Sequence, residues 1–234
     1  MYQQKTITMN RMKTYDAPHK GLRNALSQLS LLAGKTNYFN QQEVEQLYLL
    51  GKDVFTILSI HANDENDVTL AALEERCHGC SQHDMDDHEQ IHLAQDKLEK
   101  LLLKIYSNSK AGIDATEDGA EFYLAFSEFH GEYLEHTAEE ERITQPMLWK
   151  YFTDEELAAH RGEIMAKNPP QTLLIWFKFV IPAQSRMDRI GLLTGFKKMA
   201  PVPFFNEAMD IIKQVLSEEE FDILSKSLEY NFAY

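Results

Sequence analysis

The chain has 234 residues, 44% of them hydrophobic, which is enough apolar material for one sizeable folded unit and argues against disorder. A formal net charge of -14 argues against a nucleic-acid partner, because phosphate binding needs clustered Lys and Arg. With only Cys77 and Cys80 available, a disulfide-framework fold is excluded, and a reducing, cytoplasmic setting fits best.

The first 20 residues are polar, carrying Lys5, Arg11 and Lys13, and contain no apolar segment of an export signal. No stretch approaches the roughly 20 apolar residues that span a bilayer, so no membrane partner is expected. Glycine and proline are scarce, and apolar residues recur three and four apart over long stretches, the mark of packed amphipathic helices. Asp16 is a natural N-cap with Pro18 in the first turn, predicting a helix through Leu22, Leu26, Leu29 and Leu32 to Gly34. Asn40 caps a second helix carrying Val44, Leu47, Val54 and Leu58, which continues past His61 to about Leu73. A third helix starts near Asp84 to Asp87 and runs to about Tyr106. A fourth runs from about Thr116 through Phe122, Phe126 and His136 to the region of Pro146. Short joins between these four favour an all-α, up-down-up-down four-helix bundle over residues 15–150.

Beyond Thr153 the pattern stays helical, and residues 154–234 read as a helical extension packed on the bundle. Thr153 to Glu156 opens a short helix and Pro169-Pro170 starts another, while Pro201 and Pro203 separate two last helices. The apolar cluster Trp176, Phe177, Phe179, Val180 and Ile181 either covers the bundle or forms a homodimer face, and its composition leaves both open.

Nine histidines are present, and four fall at informative places in this plan. His19 begins the first helix, His61 lies about 20 residues into the second, His88 begins the third, and His136 lies about 20 residues into the fourth. A rise of ~1.5 Å per residue carries the chain ~30 Å in 20 residues, so in an up-down bundle all four meet at one end. His61, His88 and His136 each have a second potential ligand four residues later, on the same helical face: Glu65, His92 and Glu140. The set His19, His61, Glu65, His88, His92, His136 and Glu140 offers two layers of donors. These can hold two metal ions, with carboxylates able to bridge them and an open position left for a small molecule.

The segment from Ala17 to Arg23, residues 61–76 (HANDENDVTLAALEER), 87–102 (DHEQIHLAQDKLEKLL) and 136–148 (HTAEEERITQPML) resemble the helices of hemerythrin and the HHE cation-binding domains. The resemblance covers about residues 15–150. It implies two non-haem iron ions joined by an oxygen bridge, with Glu65 and Glu140 as bridging carboxylates; zinc or manganese remain alternatives. Oxygen-carrying invertebrate hemerythrins place an aspartate five residues after the last histidine. This chain has Glu140 at four and Glu141 at five, closer to bacterial and iron-sensing members, which does not favour oxygen transport.

Two competing readings use other residues. Cys77 and Cys80 with His78 and His83 have the composition of a zinc knuckle, but without a second matching pair they read better as a loop. A ferritin-like centre would use Glu75 with His78 and Glu89 with His92, and would leave His19, His61 and His136 idle. The expected function is therefore a di-iron protein that binds or senses dioxygen, nitric oxide or a peroxide. The alternative is a di-iron oxidoreductase or a repair enzyme of iron-sulfur centres.

Overall fold

In a computed structural model that describes residues 11–230, every regular element among the described residues is helical. The first ten residues, including Lys5 and most of the polar start, lie outside the described residues. The chain forms α1 (Asp16–Lys35), α2 (Gln41–Asp64), α3 (Ala71–Arg76), α4 (Gln82–Lys110), α5 (Thr116–Glu139) and α6 (Gln145–Tyr151). Asn40 caps α2 as its sequence predicts, its side-chain oxygen accepting from the backbone N–H groups of Gln42 and Glu43. Helix α4 begins two residues before Asp84 and runs past Tyr106 to Lys110.

The long helices α1, α2, α4 and α5 each pack on their chain neighbours, and α5 closes the ring against α1, giving an up-down-up-down bundle. Its core is built from the periodic positions: Leu22, Leu26 and Leu29 of α1 meet Leu47, Val54 and Leu58 of α2, Leu98 and Leu102 of α4, and Phe122 and Phe126 of α5. Each such side chain contributes roughly 1.5–3 kcal/mol by leaving water. Gly51 allows α2 to approach α4, since a Cβ there would lie 2.3 Å from Leu102 Cδ2.

Two breaks in α-helical phase occur at matching places. Glu65–Leu70 follows α2 as a π-helical turn, and Glu140–Thr144 follows α5 as another. The wider turn changes which residues face inward: Val68, Thr69 and Leu70 are all buried, a run of three that a regular amphipathic helix does not bury. Each turn starts at the acidic residue four after a histidine, His61 in one case and His136 in the other. Sequence periodicity treats both segments as continuous α-helix, because inserting one residue into a turn leaves no mark in composition.

After Thr153, whose hydroxyl and Glu156 form a reciprocal capping box, come α7 (Asp154–Lys167), α8 (Pro170–Val180), α9 (Arg186–Met199), α10 (Val202–Val215) and α11 (Glu218–Tyr230). The final stretch holds one more helix than the prolines predict. Ser217 starts it by a second reciprocal pairing, its hydroxyl accepting from the Glu220 N–H while the Glu220 carboxylate accepts from the Ser217 N–H.

The apolar cluster in α8 has two faces. Phe179 joins the bundle core with Ile175 and Trp176 against it, while Leu174, Phe177 and Ile181 belong to a separate core shared with α9, α10 and α11. Gly21 lets α8 sit directly on α1, because a Cβ there would come 2.5 Å from Val180 Cγ2. No helix among the described residues is long and apolar enough to cross a membrane.

Candidate metal centre

Six of the seven sequence-selected residues converge at one end of the bundle: His19 from α1, His61 from α2, Glu65 at the first π-helical turn, His88 from α4, His136 from α5, and Glu140 at the second π-helical turn. All six are buried, with His19 and Glu140 fully removed from solvent. His92 is the exception and stays exposed. The buried stripe of α4 follows Asp84, His88, Ile91, Gln95, Leu98 and Leu102, and at ~100° per residue His92 lies beyond its edge. The side chains brought together are four imidazoles and two carboxylates.

The two carboxylates divide their oxygens between two groups of histidines. Glu140 Oε2 lies 3.2 Å from His19 Nε2, and Glu65 Oε1 lies 3.2 Å from His61 Nε2. On the other side, Glu140 Oε1 is 3.4 Å from His136 Nε2 and 3.5 Å from His88 Nε2, while Glu65 Oε2 is 3.4 Å from His88 Nε2. One half thus gathers His19, His61 and an oxygen from each carboxylate, and the other gathers His88, His136 and Glu140, with Glu65 Oε2 approaching it at His88.

These spacings fit a shared ion. A cation about 2.1 Å from its donors sets neighbouring donors about 3.0 Å apart at right angles and about 3.4 Å apart at the tetrahedral angle. The donors are also otherwise idle: the Nε2 atoms of all four histidines, Glu65 Oε2 and both oxygens of Glu140 have no hydrogen-bond partner. An unpaired buried polar atom costs about 1–3 kcal/mol, so such a cluster is expensive unless a cation satisfies it. The buried histidines and glutamates can therefore hold a metal ion.

Protonation follows the same logic. Burial alone would lower the His19 and His88 pKa values. The Glu140 carboxylate reverses this, joined by Glu141 at His19 and Glu65 at His88, and raises them to about 9 and about 10. Glu140 is penalised by burial, but the imidazoles of His19 and His88 hold its pKa well below the usual carboxylate range. Glu65 is pushed up to about 8 by burial and by the neighbouring charge of Glu140. His61 is lowered by burial and by the His19 charge, and His136 by burial.

A surrounding shell fixes the imidazoles. His19 Nδ1 lies 2.9 Å from Glu141 Oε1, and Arg23 donates to the same oxygen at 2.8 Å and to Thr137 at 3.1 Å. His88 Nδ1 pairs with Asn66 Oδ1 at 2.8 Å, and Tyr15 stacks on His19 with ring centroids 4.9 Å apart. Such partners set the ring orientation and the tautomer of a ligating imidazole. Sequence reasoning selected Glu140 from its acidic run and did not assign Glu141, Asn66 or Tyr15. Adjacency to Glu140 and Glu65 was the available signal for the first two. Tyr133, fully within the core, also borders the site, edge-on to His136 at 6.0 Å.

The competing ligand sets are not assembled. Cys77 and Cys80 pair with each other as a disulfide, which removes both thiolates from a zinc knuckle. His78 is 99% exposed, and Glu89 and His92 also face solvent, so the ferritin-like arrangement has no buried centre. His130 tilts against Phe126, with ring centroids 6.1 Å apart, and joins no donor group.

No protein-family model matches the chain. The expected membership of the hemerythrin and HHE domains is therefore corrected: what the chain matches are curated proteins of a different description. It is 23% identical over 158 residues to F-box/LRR-repeat protein 5 of Danio rerio, covering 66% of this chain and 22% of that protein. It is 26% identical over 157 residues to the proteins of the same description from Mus musculus and Bos taurus, covering 67% of this chain and 22% of each. The chain thus spans about a fifth of the length of the curated relatives it matches. No solved structure matches it.

Proposed function

We propose that this chain is a non-haem di-iron protein that binds or senses a small ligand, dioxygen, nitric oxide or a peroxide, at its buried histidine and carboxylate centre. The carrying observation is the division of donors: Glu140 turns one oxygen to His19 and the other to His88 and His136, Glu65 turns one oxygen to His61 and the other toward His88, and those donors have almost no other partner. Four donors would close a tetrahedral zinc shell, whereas an ion that prefers six positions keeps open places for a ligand. When bound, iron would supply reversible redox chemistry and an electron-rich site for such molecules.

The chain's own residues set the conditions. Four neutral imidazoles and two carboxylates leave a pair of divalent cations with residual positive charge, which favours anionic or reducible ligands over extensive oxidation of the metal. Tyr15, Tyr133 and the half-buried Trp176, edge-on to His61 at 6.2 Å, line the surroundings with rings and limit water. Arg23 and Glu141 hold His19 in place.

Anaerobic loading with ferrous iron followed by exposure to oxygen or nitric oxide tests the reading. The expected result is two iron ions per chain and a visible charge-transfer band that depends on the added gas. Iron-loaded protein that stays colourless and takes up neither gas would exclude ligand binding, and tight uptake of zinc alone would favour a structural centre.

A further inference from the structure

Beside the buried centre, α4 and α5 enclose an open groove of about 530 Å³ whose wall includes His83, Asp87, Glu132, Glu135, Glu139 and His136. One nitrogen of His83 and one carboxylate oxygen each of Asp87 and Glu139 lie within 4.8 Å of one another. His83 Nδ1 is 3.4 Å from Asp87 Oδ2, and its Nε2 is 3.8 Å from Glu139 Oε2. An imidazole and two carboxylates are a suitable set for a first-row divalent cation. These side chains are partly open to water: His83 is 65% exposed, Asp87 37% and Glu139 31%. Such a site exchanges its ion readily and suits passage better than storage.

A second observation points inward from the same place. His136, only 4% exposed, turns its Nδ1 toward Asp87 Oδ2 at 3.5 Å, and that nitrogen has no hydrogen-bond partner. Its other nitrogen, Nε2, faces Glu140 in the buried centre at 3.4 Å. The His136 ring is therefore the partition between groove and centre, with metal-binding atoms on both faces. Lys97 brings one positive charge to the wall, and the carboxylates of Asp87, Glu132, Glu135 and Glu139 outweigh it.

We propose that His83, Asp87 and Glu139 form an entry site that captures a divalent cation from solvent and delivers it past His136 to the buried centre. The delivery step rests on the metal-binding reading above, whereas capture at the groove stands on its own residues. A cleft walled by one sign of charge raises local cation concentration and association rates by about 10-fold or more, and a ligand triad adds a stopping place on the way.

The test compares the 234-residue chain with two double variants. His83→Gln with Glu139→Gln removes two of the three entry ligands. Glu132→Gln with Glu135→Gln removes two negative charges from the same groove and leaves the triad intact. Stopped-flow mixing with Co2+ reads filling of the buried centre by its visible absorption. Electron paramagnetic resonance of added Mn2+, repeated on a His61→Ala variant, counts weak binding at the groove.

The expected result is that the entry variant fills at least 10-fold more slowly than wild type to the same final Co2+ absorption of the buried centre. The charge variant should slow filling by much less. The weak Mn2+ site should persist in His61→Ala and vanish in the entry variant. Equal filling rates in wild type and entry variant, or equal slowing in both double variants, would overturn the proposal. Wild-type protein with no slow, saturable Co2+ uptake would remove the buried centre. The Mn2+ count would still decide whether the groove captures a cation, and its absence there would end the proposal.

Discussion

Glu140→Gln is the most informative single change, because one side chain serves both halves of the centre. It is fully buried, with Oε2 on the His19 side and Oε1 facing His88 and His136, so the amide replaces it with nearly the same shape. Each ion then loses one charged donor. Disturbing even the outer partners of a metal ligand costs about 10–100-fold in affinity, so a lost carboxylate donor is expected to cost at least about 100-fold per ion, about 2.7 kcal/mol. With free metal at about 100 times Kd, each ion stabilises wild-type protein by about 2.7 kcal/mol. At roughly 2–4 °C per kcal/mol for a chain of this size, two ions raise Tm by about 10–20 °C. In the variant the same metal concentration sits near Kd, leaving about 0.8 kcal/mol and a rise of about 2–3 °C. Calorimetry with and without ferrous iron under argon, beside elemental analysis, reads both quantities, and circular dichroism of the metal-free variant checks its fold. A variant that keeps two ions and the full wild-type shift would refute the bridging role of Glu140.

Three further outcomes follow from the same geometry. Glu141→Gln leaves the donor atoms in place but weakens the hold on His19, so the half containing His19 and His61 should lose about 10–100-fold in affinity while the other half is spared; equal loss in both halves would contradict this. His92→Ala should bind metal with unchanged stoichiometry and affinity, since its side chain faces solvent; a lost ion would restore it to the donor set. Metal loading should also release protons. The metal-free pKa values of His19 and His88 lie at about 9 and about 10, above the usual histidine value, so both rings hold protons at pH 7.5 and must give them up to bind. The sign is fixed: affinity rises with pH toward those values and falls as the solution is acidified. Glu65, raised to about 8, is also mostly protonated at pH 7.5, so loading in weakly buffered solution with an indicator dye should show between two and three protons released per centre, and no release would count against the assignment.

Much of this was legible in the sequence because helix periodicity and metal-ligand spacing share the same rise and turn. Placing His19 and His88 at helix starts and His61 and His136 about 20 residues into their helices is a statement about height, and the up-down bundle converts equal height into proximity. Azimuth is harder to read. The ~40° step from His88 to His92 is small enough for both to share a face, and only the position of the buried stripe decides that His88 points inward. The π-helical turns after Glu65 and Glu140 were invisible, because tertiary packing rather than composition sets a local i→i+5 pattern. The outer partners depend on contacts between helices distant in sequence, such as Glu141 with His19 and Arg23, and spacing within one helix carries no trace of them. The groove triad was missed for the same reason: His83 was weighed with Cys77 and Cys80 nearby in the chain, whereas its spatial neighbours are Asp87 and Glu139.

The central claim is that two cations share Glu65 and Glu140 within one shell of imidazoles and carboxylates. X-ray absorption at the iron edge of anaerobically loaded protein tests it most directly. The prediction is a first shell of nitrogen and oxygen only, with a second iron scattering at about 3.5–4 Å. Sulfur in the first shell, or an isolated iron with no metal neighbour at full loading, would contradict it.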